Sequence, residues 1–326
     1  MRIGANPQKF KNEKNTLKSH RIILVIYNPE SNDDYYTDLD EVLDKSLKSL
    51  VTTINFTTTN ITLINNGSSI KSTVVINKYL HLIDKYVVYG ENKGKVYAVL
   101  NEVRAIFEPF VTIADSDILF YANWEFAVFE CFKKFKNSGV VSPIASPHCA
   151  FNFNKHIFGS FFFKIKYSAA MRHEDIELCK SSFTQFIFNR NNSNYEDFDK
   201  KQYIIKDNGF AVLLGASHCI ATYRRELFSQ KPIKFPYLKF KNGYENTFID
   251  CLAEQNGYYR ISTVSNYAYH IGNKLDQNCY LPIDDRLIDV TPVFFELTPF
   301  KVKNRFFVKL VNFVGRILIK YYFNRK

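Results

Sequence analysis

The residues best suited to chemistry are two aspartates one residue apart, Asp115 and Asp117, which flank Ser116. They end the apolar run at residues 110–114, which predicts a buried strand emerging at the edge of a sheet. Two carboxylates in that place can bind a hard divalent cation and, through it, a diphosphate, because Mg²⁺ and Mn²⁺ prefer oxygen ligands. A solvated helix-capping turn has the same short pattern, so the interpretation depends on the surrounding elements.

Apolar segments alternate with segments of helical periodicity in the first third of the chain. We predict strands at residues 21–27, 61–64, 86–89 and 110–114, separated by helices at 38–51, 72–83 and 95–107. This alternation indicates parallel βαβ units, in which ligands bind beyond the carboxyl ends of the strands. The loops after these strands should therefore meet in one nucleotide-binding crevice, formed by residues 28–34, 65–69, 90–94 and 115–117.

The rest of the chain predicts further elements of the same kind. Helices are expected at residues 123–136 and 244–255, and strands at 139–144, 210–214, 219–222, 259–264 and 267–270. We interpret the segment at about residues 150–209 as an insertion that covers the site. The predicted fold class is α/β, with a mixed, mostly parallel sheet flanked by helices.

Seven short segments, in chain order, resemble those of a known family. They are Ile26-Tyr27-Asn28, Ile64-Asn65-Asn66-Gly67-Ser68, Glu91-Asn92-Lys93-Gly94, Ala114-Asp115-Ser116-Asp117, Gly215-Ala216-Ser217, Tyr244-Glu245-Asn246 and Tyr269-His270. Over roughly residues 20–275 the chain resembles the family 2 glycosyltransferases, which have the GT-A fold. The resemblance is to the type that acts in bacterial surface-polysaccharide synthesis.

The resemblance implies a nucleotide-sugar donor and a Mn²⁺ or Mg²⁺ cofactor. Asp117 would be the main metal ligand, Asp115 would contact the ribose or the metal, and His270 would be a further ligand or a diphosphate contact. Asn66 stands where the family often has an aspartate that reads the base. The residues implied to bind the nucleotide sugar are Tyr27, Asn28, Asn66, Asn92, Lys93, Asp115 and Ser116.

The chain departs from the family pattern at its candidate base. The family often has Glu-Asp near the acceptor, with the aspartate as catalytic base, whereas here the pair is Glu245 and Asn246. An amide cannot accept a proton at neutral pH, so Glu245 is our first candidate for the base and Asp250 the second. The expected reaction is an inverting, hexosyltransferase-like transfer to a glycan or lipid-linked acceptor.

The positive charge is concentrated at the end of the chain. Residues 301–326 hold eight Lys or Arg and no acid, which leaves only +3 of the net charge of +11 for the rest. Residues 304–322 predict a basic amphipathic helix, which either adheres to the cytoplasmic face of a membrane or docks on its own domain. We predict a polar leader at 1–20, the catalytic domain at 21–280 and an extension at 281–326.

The overall composition excludes several other classes. A mildly basic body does not suit a nucleic-acid binder. Six cysteines without a Cys-x-x-Cys pair indicate free thiols in a reducing compartment. The first twenty residues lack a secretory signal and no apolar run is long enough to span a bilayer, so we expect a cytoplasmic protein peripheral to the inner face of the membrane.

Two other functions remain open at this stage. Asn246 favours a catalytically weak or inactive nucleotide-sugar binder or scaffold. A nucleotidyltransferase would share the sheet and the acidic pair. It normally needs a glycine-rich basic loop after the first strand, which Asn28-Pro29-Glu30-Ser31 does not provide.

Overall fold

A computed structural model describes residue 4 and residues 18–182, 198–229, 241, 243–280 and 303–323. Its strands are β1 (His20–Ile26), β2 (Thr59–Asn66), β3 (Lys85–Tyr89), β4 (Phe110–Asp115), β5 (Ile118–Phe120), β6 (Ser138–Ser142), β7 (Lys166–Ser168), β8 (Gln202–Asp207), β9 (Phe210–Leu214), β10 (Ile220–Arg224), β11 (Tyr259–Ser262) and β12 (Ala268–His270). Its α-helices are α1 (Leu39–Thr53), α2 (Ile70–Asn77), α3 (Lys95–Val103), α4 (Trp124–Lys134), α5 (Lys155–Phe161), α6 (His173–Ser181), α7 (Leu252–Gln255) and α8 (Arg305–Tyr321).

Ten of the described strands form one mixed sheet, in the order β3-β2-β1-β4-β10-β6-β11-β9-β8-β7. The first four are parallel neighbours, β10 runs antiparallel between β4 and β6, and β11 is again parallel to β6. Only β10, β9 and β7 run against the common direction. The predicted fold class, an α/β protein with a mostly parallel sheet flanked by helices and a C-terminal helix, is confirmed.

The apolar run of β1 does not alternate with polar residues because both faces of the strand are buried. Ile22, Leu24 and Ile26 lie in one buried cluster, and Ile23 and Val25 lie in another. Both faces of the strand are therefore covered, which is typical of a central parallel strand with helices on each side of its sheet. The parallel pairing of β1 with β2 and β4 then sets which loops leave at its carboxyl end.

The segment at 150–209 contains elements that periodicity did not predict. Its described parts include α5 and α6, and strands β7 and β8, which extend the main sheet beyond β9. Residues 183–197 of this segment lie outside the described residues, as do most of the leader and residues 281–302 of the extension. The short strand β5 was also not predicted; it pairs with β12 in a separate two-stranded sheet.

The C-terminal helix α8 docks on its own domain. Gly315 lies so close to α5 that a Cβ there would overlap the carbonyl oxygen of Lys155, and a Cβ on Gly159 would overlap that of Val311. Asn312 accepts from His156 Nδ1 at 2.9 Å and donates to the Glu254 carbonyl at 3.0 Å. Close backbone approach and satisfied polar groups therefore both fix the helix. None of the described helices has the length and apolarity needed to cross a bilayer.

Candidate active site

The parallel strands deliver the predicted loops to one edge of the sheet. In the register of the sheet, Asp115 lies opposite Val25, Ile26 lies opposite Asn65, and Asn66 lies opposite Tyr89. The loops that follow β1, β2, β3 and β4 therefore begin side by side. This is the convergence expected at the carboxyl edge of a parallel sheet.

The pairing of β5 with β12 brings a distant histidine to the acidic pair. Asp117 directly precedes β5, and His270 lies opposite Ile118 in the antiparallel ladder. The Ile271 amide donates to the Asp117 carbonyl at 2.9 Å, which extends the pairing past the strand ends. Across 153 residues of sequence, His270 Nε2 comes to 3.1 Å from Asp117 Oδ2.

Asp115, Asp117 and His270 form a group able to hold a metal ion. One ligand atom from each lies within 4.8 Å of the others. Asp117 Oδ1 is buried and has no hydrogen-bond partner among the described residues. A buried carboxylate oxygen without a partner is costly unless something binds it. Two carboxylates and an imidazole suit Mn²⁺ or Mg²⁺, so the residues present fit the cofactor that the sequence predicts.

The charges around this group are unbalanced. Burial, together with the carboxylates of Asp117 and Glu245, raises the pKa of Asp115 against the opposing charge of Lys95. Burial alone lowers the pKa of His270, but the carboxylates of Asp117 and Asp115 outweigh it and raise the pKa. The shift of His270 reflects the negative charge of the two aspartates, which a bound divalent cation would offset.

Lys95 connects the acidic pair to the candidate base. Its ammonium contacts Asp115 Oδ1 and lies 2.6 Å from Glu245 Oε1. Burial by itself raises the pKa of Glu245, but the charges of Lys95 and His218 outweigh it and lower the pKa. Glu245 directly precedes a π-helical turn, Asn246–Asp250, where the sequence predicted an ordinary α-helix. Glu245 is thus held as a carboxylate beside the predicted metal site.

A pair of asparagines ties the loop after β2 to the loop after β3. Asn66 donates to Asn92 Oδ1 at 2.9 Å and accepts from the Lys93 amide at 2.9 Å. Asn92 Oδ1 also accepts from the Gly94 amide at 2.8 Å, immediately before α3 begins at Lys95. This asparagine latch therefore fixes the start of the helix that carries Lys95 into the site.

A similar set of bonds fixes the loop after β1. The Asn28 amide donates to Ser68 Oγ at 3.1 Å, and its side chain donates to Asp40 Oδ1 at 2.6 Å. Asn28 and Asn66 are both buried, whereas Tyr27 is 39% exposed. The buried amides hold loops together, and the Tyr27 side chain is accessible to a ligand.

Asp250, the second candidate base, lies in a different environment from Glu245. Its carboxylate is 3.0 Å from Arg260 Nη2 and accepts from the Tyr223 hydroxyl at 3.3 Å. Both Asp250 and Arg260 are 2% exposed. Its other oxygen lies 3.7 Å from His218 Nδ1. Asp250 is therefore engaged in a buried ion pair with Arg260.

Sequence reasoning missed three residues of the site: Lys95, Tyr35 and His218. Lys95 directly follows Gly94 at the start of a predicted helix. Its position at the end of the loop after the third strand was a signal that could have identified it. Tyr35 lies in the loop after β1; burial, and then the charges of Asp117, Tyr36 and Asp115, raise its pKa. His218 follows the Gly215-Ala216-Ser217 segment, but nothing in the sequence places it near Asp250.

Comparisons with known proteins give fold-level likeness only. No family profile and no curated protein matches the chain. Residues 1–349 of TarS from S. aureus match with 13% identity and a TM-score of 0.48, over 78% of this chain and 60% of that chain. The same fragment in complex with UDP-GlcNAc gives 13% identity and a TM-score of 0.49, over 81% and 61%.

A second solved protein is similar to the same extent. The mannosyltransferase PcManGT from Pyrobaculum calidifontis, in complex with GDP-Man and Mn²⁺, matches with 12% identity and a TM-score of 0.44, over 77% of this chain and 56% of that chain. This chain thus spans less than two thirds of the length of these solved chains. Likeness at this level assigns no family, so the function proposed below depends on the geometry of the site itself.

Gly67 offers a test of the tight contact between the loops after β2 and β3. Its φ is +82°, and a Cβ there would lie 2.6 Å from the Asn92 nitrogen. Gly209 has the same backbone strain, with φ +83°, but no atom within 4 Å of a Cβ. We expect Gly209→Ala to lower the free energy of unfolding by about 1–2 kcal/mol, and Gly67→Ala to lower it by about 1–3 kcal/mol more.

Urea denaturation of both glycine variants and the parent measures this difference. Equal losses for the two substitutions would mean that the two loops are not in close contact.

Proposed function

We propose that the protein is a metal-dependent glycosyltransferase of the GT-A type. It moves a sugar from a nucleotide-sugar donor to a glycan or lipid-linked acceptor in cell-surface polysaccharide synthesis. The observation that carries the proposal is the cluster of Asp115, Asp117 and His270 with the Glu245 carboxylate held beside it. A cation site next to a candidate base supplies both groups that displacement of a nucleoside diphosphate by a hydroxyl requires.

The three clustered residues would hold the Mn²⁺ or Mg²⁺ ion, with Asp117 as the main ligand. Asp117 is favoured because its Oδ1 is buried without a hydrogen-bond partner among the described residues. When bound, such an ion acts as a Lewis acid that stabilises negative charge on the departing nucleoside diphosphate. His270 and Asp115 complete the protein's share of the ligand shell in this proposal.

The loops after β1, β2, β3 and β4 would bind the nucleotide sugar. Direct contact falls to the accessible side chains, Tyr27, Lys93 and Ser116. The buried amides of Asn28 and Asn66 and the half-buried amide of Asn92 hold the loops in position, since they already bond to neighbouring loops or helices. The nucleotide is thus expected to meet a surface whose shape is fixed before binding, which lowers the entropic cost of recognition.

Glu245 is the proposed base. Its carboxylate accepts the proton of the acceptor hydroxyl, whose oxygen forms a bond to the anomeric carbon. The bond from that carbon to the diphosphate oxygen breaks at the same time, so the configuration at the sugar inverts. Lys95 and His218 lower the pKa of Glu245 despite its burial, which keeps the group ionised and able to accept a proton. Asp250 is less available because Arg260 binds it.

The contact between Lys95 and Glu245 favours a second candidate function. An ammonium 2.6 Å from Glu245 Oε1 could hold the carboxylate away from an acceptor. The protein would then be a nucleotide-sugar binder or scaffold with little or no transfer activity. Binding of a sugar nucleotide without its breakdown is the result that distinguishes this candidate from the enzyme.

The outer face of α8 supports binding of the protein to a membrane surface. Its exposed apolar side chains are Phe306, Phe307, Leu310, Phe313, Val314, Ile317 and Tyr321. Basic residues Arg305, Lys309, Arg316 and Lys320 are exposed among them, and residues 303–323 include no acid. Each Lys or Arg near anionic lipid contributes about 1 kcal/mol to binding.

A neighbouring turn enlarges this surface. The ring of Phe162 lies 4.9 Å from that of Tyr322, and Phe163 beside it is 97% exposed. Lys164 and Lys166 follow, again without an acid between residues 155 and 168. Apolar rings interspersed with basic groups fit the anionic surface of a bilayer. We therefore infer that α8 both docks on its domain and holds the enzyme at the inner face of the membrane, near a lipid-linked acceptor.

Replacing the main ligand tests the metal site and the activity together. Asp117→Asn should weaken Mn²⁺ binding by about 10–100-fold or more, because an amide cannot replace the charge of the carboxylate. It should also abolish Mn²⁺-dependent release of nucleotide from whichever UDP- or GDP-sugar the parent uses. Asp207→Asn, at an exposed position in β8, is the matched control and should change neither. Full activity in the Asp117 variant would contradict the proposal.

The two candidate bases should respond differently to loss of their charge. Glu245→Gln should fold normally and lower turnover by about 10²–10⁴-fold. Asp250→Asn should instead lower the free energy of unfolding by about 3–5 kcal/mol, because it leaves Arg260 buried without its counter-ion. Donor-turnover rates and urea denaturation of both variants measure this. Normal turnover in Glu245→Gln would remove that residue as the base.

Vesicle binding tests the role of α8. Phe306→Ser with Phe313→Ser should reduce cosedimentation with phosphatidylglycerol vesicles, because both rings lie on the exposed face. The matched control, Ile70→Ser with Val74→Ser, removes two exposed apolar side chains from α2 and should leave binding unchanged. Binding should weaken on phosphatidylcholine alone and at high salt. Equal binding by both double variants would refute the membrane role.

A further inference from the structure

Lys95 contacts the metal group as well as the proposed base, and the proposed reaction gives it a role only at the base. Its ammonium contacts Asp115 and lies 2.6 Å from Glu245. The side chain is only 22% exposed. The asparagine latch fixes the loop that precedes it, and Lys95 is the first residue of α3. The ammonium is therefore a fixed part of the site and not a mobile surface charge.

The same position makes Lys95 a competitor for a divalent cation. A metal ion bound by Asp115 and Asp117 would lie within a few ångströms of the ammonium, since both would share one carboxylate. Like charges at such a distance repel strongly where water is largely excluded. In the protein without its donor, the ammonium and the ion would share the negative charge of the Asp115 carboxylate.

We propose that Lys95 is the resident counter-ion of the donor-free site, which occupies Asp115 and disfavours binding of a divalent cation alone. The inference rests on the proposed function, because it concerns the same metal group. A diphosphate would supply anionic oxygens to both the ammonium and the ion. The metal and the nucleotide sugar then bind together, and the free protein does not fill its site with metal first.

Titration of the full chain with Mn²⁺ alone, followed by electron paramagnetic resonance of the free ion, tests this directly. Lys95→Met should bind Mn²⁺ about tenfold more tightly than the parent, because the competing charge is gone. Lys95→Arg, which keeps the charge, should stay within about twofold of the parent. Lys95→Gln is a second neutral variant that should match Lys95→Met and covers the case in which methionine disturbs folding.

Lys93→Met is the matched control for the change in net charge. Lys93 lies in the loop just before α3, and its ammonium pairs with Glu91 at 2.6 Å. We expect its Mn²⁺ affinity to stay within about twofold of the parent, as for an exposed pair. Unchanged or weaker Mn²⁺ binding in folded Lys95→Met and Lys95→Gln would overturn the proposal, and so would an equal gain in Lys93→Met.

A combined variant separates this inference from the proposed function. Adding Asp117→Asn to Lys95→Met should remove the gained Mn²⁺ affinity. If the gain persists without Asp117, the ion binds elsewhere and the proposed metal site fails. If Asp117→Asn weakens Mn²⁺ binding but neither neutral Lys95 variant strengthens it, the metal site stands and only the counter-ion role of Lys95 fails.

Discussion

The candidate site depends on the antiparallel pairing of two three-residue strands, β5 and β12. Neither strand belongs to the main sheet, yet their ladder sets His270 opposite Ile118 and so beside Asp117. The backbone bond from Ile271 to Asp117 continues the ladder to the ligand itself. Without this pairing, the acidic pair would be a strand-end turn like many others. With it, a carboxylate oxygen is buried next to an imidazole and has no partner among the described residues.

The surroundings of Glu245 and Asp250 differ, although both residues are carboxylates beside a basic group. Glu245 and Asp250 are five residues apart on one turn of chain, and both are carboxylates in contact with a basic group. Glu245 meets Lys95 at the edge of the site, whereas Asp250 meets Arg260 in the interior, where both partners are 2% exposed. A buried pair of that kind is costly to break. The interior pair therefore belongs to the framework, whereas the carboxylate proposed as the base lies at the edge of the site.

The C-terminal helix illustrates why one amphipathic pattern can serve two surfaces. The docked face contains Val308, Val311, Gly315 and Ile319, and two glycine contacts bring α8 and α5 to backbone distance. A narrow buried face leaves most of the apolar side chains of the helix outside. Docking and membrane contact are therefore compatible. Asn312, a polar residue of this helix, is turned inward to bond His156 and Glu254.

The sequence by itself determined the α/β class, the parallel direction of the first strands and the edge at which their loops meet. Continuous apolar runs such as that of β1 can be buried only between two layers, and parallel strands must place their carboxyl ends together. It also identified the acidic pair and His270 as members of one site, through a resemblance and not through spacing. The tertiary structure decided the rest, because it depends on contacts between residues far apart in the chain. The ladder between β5 and β12, the ammonium of Lys95 between two carboxylates, and the Arg260 pair that binds Asp250 all join segments whose separate sequences show no sign of their partners.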